Sequence, residues 1–276
     1  MTRNAVQGGV PHRTIRRAVE ISGVGIHSGR PARVRIHPSQ RPGIVLVRGH
    51  VETRADLDAV TETSRRTVLA GVATVEHLMA AAFALGITAL RVEVAGDEVP
   101  IADGSAKPFA DALADAGIRD LPEVMPRLRV VCPVWVARGD ALAAAFPADA
   151  LRVTYVVALR DAGFQVWDGD ITPQTFMHDL APARTWGYAD EADGLRAAGL
   201  ATGADAHNTL ILEGGGYRNA PRFSDEPVRH KVVDLIGDLA LLAAGLEAHV
   251  VCLRGGHGLH LALARKIREA VGPPAS

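Results

Sequence analysis

Two separate stretches of this sequence carry the same order of local signals. In the first, a helical pattern over residues 74–85 stops at Gly86. A strand with period-2 alternation follows at residues 90–94, then a turn at Asp103-Gly104-Ser105, then a helix to about Ala116. In the second, Ser224-Asp225-Glu226-Pro227 opens a helix that runs to about Ala244 and stops at Gly245. A strand follows at residues 249–253, then the turn Gly255-Gly256-His257-Gly258, then a helix over residues 259–270. Strand-like runs precede both stretches, at residues 14–24, 32–37 and 44–47 and again at 129–137 and 151–159. Strands and helices with one apolar face each must stack to bury it. The expectation is an α+β fold of two domains of similar plan, each a sheet packed on helices. Pro122 and Pro126 bracket a linker, so the domains are residues 1–125 and 126–276. The cleft between them is the favoured place for a site.

Smaller features complete the outline. Thr74 is placed as an N-cap, with Leu78, Ala81, Ala82 and Leu85 on one helical face. Residues 1–12 read as a disordered leader, residues 191–198 as a short helix and residues 209–212 as a strand. The formal net charge is −1, so no strong field draws the chain to nucleic acid or an acidic membrane. No apolar run reaches the ~18 residues that cross a bilayer, and the N-terminus has no signal-peptide core. A soluble cytoplasmic protein is expected. The two cysteines, Cys132 and Cys252, sit in apolar runs and read as core residues.

The strongest chemical pattern is His230-Lys231-Val232-Val233-Asp234. On a helix, positions i and i+4 share a face, so an imidazole and a carboxylate can meet at one cation. Such a pair alone also suits a solvated face. Here Val228, Val232, Val233, Leu235 and Ile236 make the helix apolar, a poor setting for uncompensated polar groups. Asp238 follows on the same stripe, suited to hold a histidine ring. The second element is Glu76-His77 at a helix start: a metal ligand beside a general base, or simply an acidic residue favoured in a first turn. The third is His257 between two glycines, an accessible imidazole suited to protonate a leaving amine, or a surface-turn histidine. His77, His230 and Asp234 together leave a fourth position open, as catalytic zinc sites do. A non-haem Fe(II) oxygenase is the competing reading of two histidines and a carboxylate. It fits less well, because its histidine–carboxylate pair is closely spaced on a β framework.

Six segments carry a family resemblance. They are Gly23-Val24-Gly25-Ile26-His27-Ser28-Gly29, Thr74-Val75-Glu76-His77-Leu78, Asp103-Gly104-Ser105-Ala106-Lys107-Pro108-Phe109, Ala183-Arg184-Thr185, the run from Val228 to Asp238, and Gly256-His257. In this order, from about residue 14 to 268, the chain resembles UDP-3-O-acyl-N-acetylglucosamine deacetylase, a zinc enzyme of lipid A synthesis. The resemblance implies zinc between two sheet-on-helix domains, held by His77, His230 and Asp234, with Fe(II) also accepted. It implies Glu76 as general base, His257 as acid and Asp238 holding the His257 ring. Thr185 and Lys231 are implied near the oxyanion or substrate, and Trp186 stands at the substrate where the family usually has Phe.

Several positions depart from the family pattern. The family's Phe-x-His-Pro segment corresponds to residues 158–163, and a Lys near its diphosphate falls at Ala141. His207 replaces an Asp, and His260 replaces an Asn. The region expected to line an acyl passage reads Gly187-Tyr188-Ala189-Asp190-Glu191-Ala192-Asp193-Gly194, small and acidic. These departures favour a divergent paralogue acting on a smaller or differently decorated N-acetylglucosamine conjugate in specialised metabolism. The alternatives are a genuine deacetylase of the lipid A precursor and a non-catalytic sugar-nucleotide binding protein.

Overall fold

A computed structural model describes residues 9–160 and 162–271. The chain is α+β and contains two five-stranded sheets. In one, the strands lie in the order Val19–Val24, Pro31–Pro38, Ala89–Ala95, Gly43–Arg48, Val51–Arg54. In the other the order is Val134–Arg138, Ala141–Phe146, His249–Leu253, Arg152–Leu159, Gly163–Asp170. The plan is the same in both: the fifth strand in sequence enters the middle. It runs antiparallel to the second strand and parallel to the third. Parallel neighbours need a crossover, and a helix supplies it in each half. Glu76–Ala84 leads into Ala89–Ala95, and Glu226–Leu239 leads to His249–Leu253. These equivalent helices pack against each other. The topology therefore brings together the two segments that carry His77 and His230.

The strands obey a simple alternation. In Pro31–Pro38, Ala32, Val34 and Ile36 point inward while Arg33 and Arg35 face solvent. In Arg152–Leu159, Val153, Tyr155, Val157 and Leu159 are the inward set. The crossover helices are buried on nearly all faces. Their close approach depends on Gly237. A Cβ there would lie 2.2 Å from the carbonyl oxygen of Glu76. No helix among the described residues is long and apolar enough to cross a membrane.

Several local expectations change. Residues 1–8 of the expected leader lie outside the described residues, but from Val10 the chain is a strand. Val10–Ile15 pairs with Ile118–Met125, so the segment read as a linker is β-structure. The two prolines misled: Pro122 lies where the register of this two-stranded ribbon shifts, so its missing N–H breaks no regular ladder. Thr74 is not a cap. It adopts φ 59°, and its hydroxyl donates to Glu98 at 2.8 Å. The helix begins at Glu76 instead. The second helix starts at Lys107, because Asp103 forms a turn by accepting from the Ser105 N–H and hydroxyl. The long helix changes to a 3-10 turn after Leu239.

Candidate active site

The two crossover helices aim their polar residues at one point. The His230 Nε2 lies 3.3 Å from Asp234 Oδ1, and His77 Nε2 lies 4.0 Å from the same oxygen. The three ligand atoms fall within 4.8 Å of one another, and all three residues are buried. The two rings meet edge to face, with centroids 5.0 Å apart. His230 Nδ1 donates to the Ala183 carbonyl at 3.0 Å, which leaves Nε2 with a free lone pair. His77 is different. Its Nδ1 has no hydrogen-bond partner and its Nε2 is beyond hydrogen-bond reach of Asp234. The Nε2 side of the ring faces the cavity and is free to take a ligand. A cation between the three residues would engage the Nε2 lone pair of each ring and Asp234 Oδ1, so the residues fit a metal of the zinc type.

The electrostatics suit the same role. Burial, aided by His230, pushes the His77 pKa down to about 3, so the ring is neutral near pH 7. Burial also lowers His230. For Asp234 burial opposes ionisation, yet Lys231, His230 and His257 outweigh it and hold the carboxyl well below its usual range. The Lys231 Nζ donates to Asp234 Oδ2 at 2.9 Å. Two neutral imidazoles and one carboxylate are the protonation states a divalent ion requires.

Around this point stand the other expected residues. Glu76 Oε2 accepts from the Thr67 backbone N–H at 3.1 Å, and burial raises the carboxyl pKa to about 7. His257 Nε2 lies 3.8 Å from Glu76 Oε1 and 3.9 Å from Asp234 Oδ2. Burial opposes its charge, but the carboxylates of Asp238, Asp234 and Glu76 prevail and lift its pKa to about 9. Its Nδ1 donates to Asp238 Oδ2 at 2.8 Å. Glu76, His77, Thr185, Trp186, His230, Lys231, Asp234 and His257 all line one cavity of about 270 Å³. Asp238 lies behind His257, fully buried. The Trp186 indole N–H donates to the Pro227 carbonyl at 3.0 Å, and Lys231 Nζ lies 5.9 Å from its ring centroid.

A second cavity, of about 390 Å³, opens from the same wall. Ile26, His27, Arg65 and residues 185–188 line both. Its far wall includes Ala192, Leu195, Leu200, Ala201, Ala204 and Ile211. Charged side chains share this lining: Asp193, which lies 3.6 Å from Arg196, and Arg65, Asp205 and Arg218. Asp190 is bound by Arg160, whose guanidinium lies 3.7 Å over the Tyr188 ring, and Glu191 is bound by Arg160 and Arg65. Most of the apolar wall, Leu195, Leu200, Ala201, Ala204 and Ile211, comes from beyond the Gly187–Gly194 stretch. Asp161, inside the segment matched to Phe-x-His-Pro, lies outside the described residues.

Sequence reasoning gave no role to His27, Thr67 or Glu98. His27 stands in the quoted glycine-rich segment, so that segment was the signal for it. Thr67 donates to Asp238 Oδ1 at 2.6 Å, and nothing in its local sequence marks it. Glu98 accepts from the His27 and Ser28 backbone and from the Ser28 and Thr74 hydroxyls, tying the glycine-rich loop to the start of the Glu76 helix.

The family model for LpxC, UDP-3-O-acyl N-acetylglycosamine deacetylase, matches residues 12–269. The chain belongs to this family. It is therefore a deacetylase. A UDP-3-O-acyl-N-acetylglucosamine deacetylase of Thermosynechococcus vestitus is 40% identical over 271 residues, covering 93% of this chain and 94% of that protein. Proteins of the same name from Leptospira biflexa and Chlamydia caviae are 35% and 38% identical, covering 95% of this chain and 91% and 98% of their own lengths. Likeness of this extent to bearers of the family's own name corrects the expectation of a divergent paralogue in specialised metabolism. The departures noted above are side-chain changes within a member of this family.

Proposed function

We propose that this protein hydrolyses the acetamide of a UDP-3-O-acyl-N-acetylglucosamine, the substrate class that its relatives' names state. The reaction centre lies between domains formed by residues 1–125 and 126–276. Zinc, or Fe(II) in its place, would be held by His77, His230 and Asp234. The observation that carries the substrate assignment is the 390 Å³ cavity that shares the Trp186 wall with the 270 Å³ cavity. An acetylated sugar at the first leaves its 3-O-acyl chain facing the apolar side chains of the second, where each buried CH₂ contributes about 0.8 kcal/mol.

When bound, the cation supplies Lewis acidity, acidifying water and polarising the amide carbonyl. The chain's own groups do the proton chemistry. Glu76, with a pKa near the working pH, takes a proton from the attacking water. Lys231 and Thr185 line the cavity where negative charge develops on the carbonyl oxygen. His257 is protonated at neutral pH and delivers its Nε2 proton to the departing amine nitrogen. Glu76 and His257 thus have separated pKa values, about 7 and about 9, in the order that a base and an acid need.

The test is turnover of UDP-N-acetylglucosamine with and without the 3-O-acyl chain. Strong dependence on the chain is expected. Equal kcat/KM for the two substrates would sink the acyl assignment and return the smaller-substrate reading.

A further inference from the structure

Behind His257 lies a buried polar group that the reaction above leaves unused. Asp238 Oδ2 accepts two hydrogen bonds of 2.8 Å, one from His257 Nδ1 and one from His260 Nδ1. Its Oδ1 accepts from the Thr67 hydroxyl at 2.6 Å. The outer nitrogen of His260 lies 3.0 Å from the hydroxyl of Tyr155. Asp238 and His260 are wholly buried, and so is Tyr155. Gly255 keeps the turn tight over them: a Cβ there would sit 3.3 Å from His260 Nε2, 3.2 Å from the Tyr155 hydroxyl and 2.3 Å from Cys252 Sγ.

Asp238, His257 and His260 also have the spacing of a metal group. They are not a second cation site. Both Nδ1 atoms already bond one carboxylate oxygen, so the donors that a cation needs are turned towards each other. What the arrangement does is fix a direction. A carboxylate held only by His257 and Thr67 can still tilt about its last bond. A third donor to the carboxylate, the second on Oδ2 and itself anchored through Tyr155 to a strand of the second sheet, removes that freedom. The His257 ring is then set so that its Nε2 faces Glu76 and Asp234.

We propose that His260 is a positioning residue for the proton donor. Through Asp238 it fixes the angle of the His257 ring, and Tyr155 holds His260 in turn. The proposal rests on the reading of His257 as the acid. The family pattern has Asn at this position, which can donate to Asp238 but is too short to continue to Tyr155. In this chain a four-membered series runs from Tyr155 through His260 and Asp238 to His257.

The experiment uses the metal-loaded full chain. His260→Leu is expected to lower kcat about ten-fold or more, as loss of an outer hydrogen-bond partner does, with KM within about two-fold and metal content unchanged. His260→Asn restores most of the loss, because it restores the donor. In an Asp238→Asn background His260→Leu is expected to add less than about two-fold, since the two act through one bond. Parent-like kcat in His260→Leu overturns the proposal, and so does a full-sized effect in the Asp238→Asn background. Should the Leu variant not fold, Tyr155→Phe carries the same cycle. A roughly three-fold loss is expected in the parent and none with Asp238→Asn; equal effects in both overturn it. Proton NMR separates this outcome from failure of the reaction itself. Two strongly downfield imidazole N–H signals are expected without any substrate. His260→Leu should remove one and shift the other, whether or not the acylated sugar nucleotide is turned over. A spectrum in which the remaining signal does not move overturns the proposal.

Discussion

Asp234 and Asp238 lie one turn apart on the same helix, both buried, and their surroundings are opposite. Around Asp238 every polar atom is satisfied: two imidazoles and a hydroxyl donate to its two oxygens. Around Asp234 the donors are incomplete. His230 is held from behind by a carbonyl, His77 has no partner on Nδ1, and both Nε2 atoms point at a shared space. A saturated cluster orients a proton, whereas an unsatisfied one waits for a cation. The helix keeps the two tasks 5–6 Å apart at Cβ by the spacing of one turn. A third buried carboxylate, Glu226, opens the same helix. It is neutralised in yet another way, by the guanidinium of Arg184 at 2.9 Å.

The contrast breaks most sharply under substitution. Asp234→Ala is expected to lose bound metal and at least roughly 10³-fold in turnover, because Lewis acidity of several kcal/mol goes with it. Asp238→Ala should keep its metal and lose rate alone. Metal analysis of the two purified variants decides the matter, and equal metal loss in both would erase the distinction. Glu76→Ala comes next. It should retain metal, since Glu76 is turned to the Thr67 N–H, while kcat drops by about 10²–10⁴ as for a missing general base. Retained activity would remove Glu76 from that role.

Glu226→Gln sharpens the comparison from the side of stability. Removing one member of a buried ion pair costs about 3 kcal/mol, and here Arg184 is the charge left behind. Burial raises the Glu226 pKa, but bonds from the Arg184 side chain and from the Arg184 and Arg222 N–H groups prevail and hold it below its unfolded value. Its contribution is thus complete above about pH 4.5 and fades as pH falls through the depressed folded value. Denaturation of parent and variant should differ most near neutrality and converge in acid. A gap that stays constant down to pH 3 would mean that the charge is not what the helix start relies on.

The parts of this architecture that were legible in the sequence are those with a period. The i,i+4 spacing of His230 and Asp234 on an apolar helix, and the helix–Gly–strand order repeated in both halves, lie within short windows. The unread parts depend on distant chain. Ala141–Phe146 is alanine-rich and has little intrinsic strand preference, yet it pairs on both sides and is fixed by its neighbours. Gly163–Asp170 puts Phe164 and Val166 beside Asp168 and Asp170 on its exposed side, so it lacks the clean alternation by which an outer strand is recognised. The second cavity draws its walls from residues 26–27, from Arg65 and from the stretches 185–205 and 209–218, and no local window contains it. Thr67 and Glu98 act from loops, where side-chain geometry has no sequence period.

Gly237 stands between the two clusters and offers the finest probe. Its missing side chain lets the backbone of Glu76 lie against the helix that bears both aspartates. With a Cβ 2.2 Å from the Glu76 carbonyl oxygen, one helix must move away from the other. The blocking atom is main chain, so no rotamer change can relieve the contact. Overpacking of this kind costs about 1–3 kcal/mol, partly offset by the better helix propensity of Ala over Gly, about 1 kcal/mol. Because the clash is with main chain, the cost falls at the upper end of that range, and the net loss of stability in Gly237→Ala is expected to be about 2 kcal/mol. The displacement falls on Glu76 and His77, which sit on the opposing helix, and leaves the Asp238–His260 bond within its own half intact. Activity and metal affinity should fall more than stability does, while the downfield imidazole signal assigned to His260 stays in place. Loss of that signal together with metal would show that the two clusters move as one unit and that the division of labour drawn along this helix does not hold.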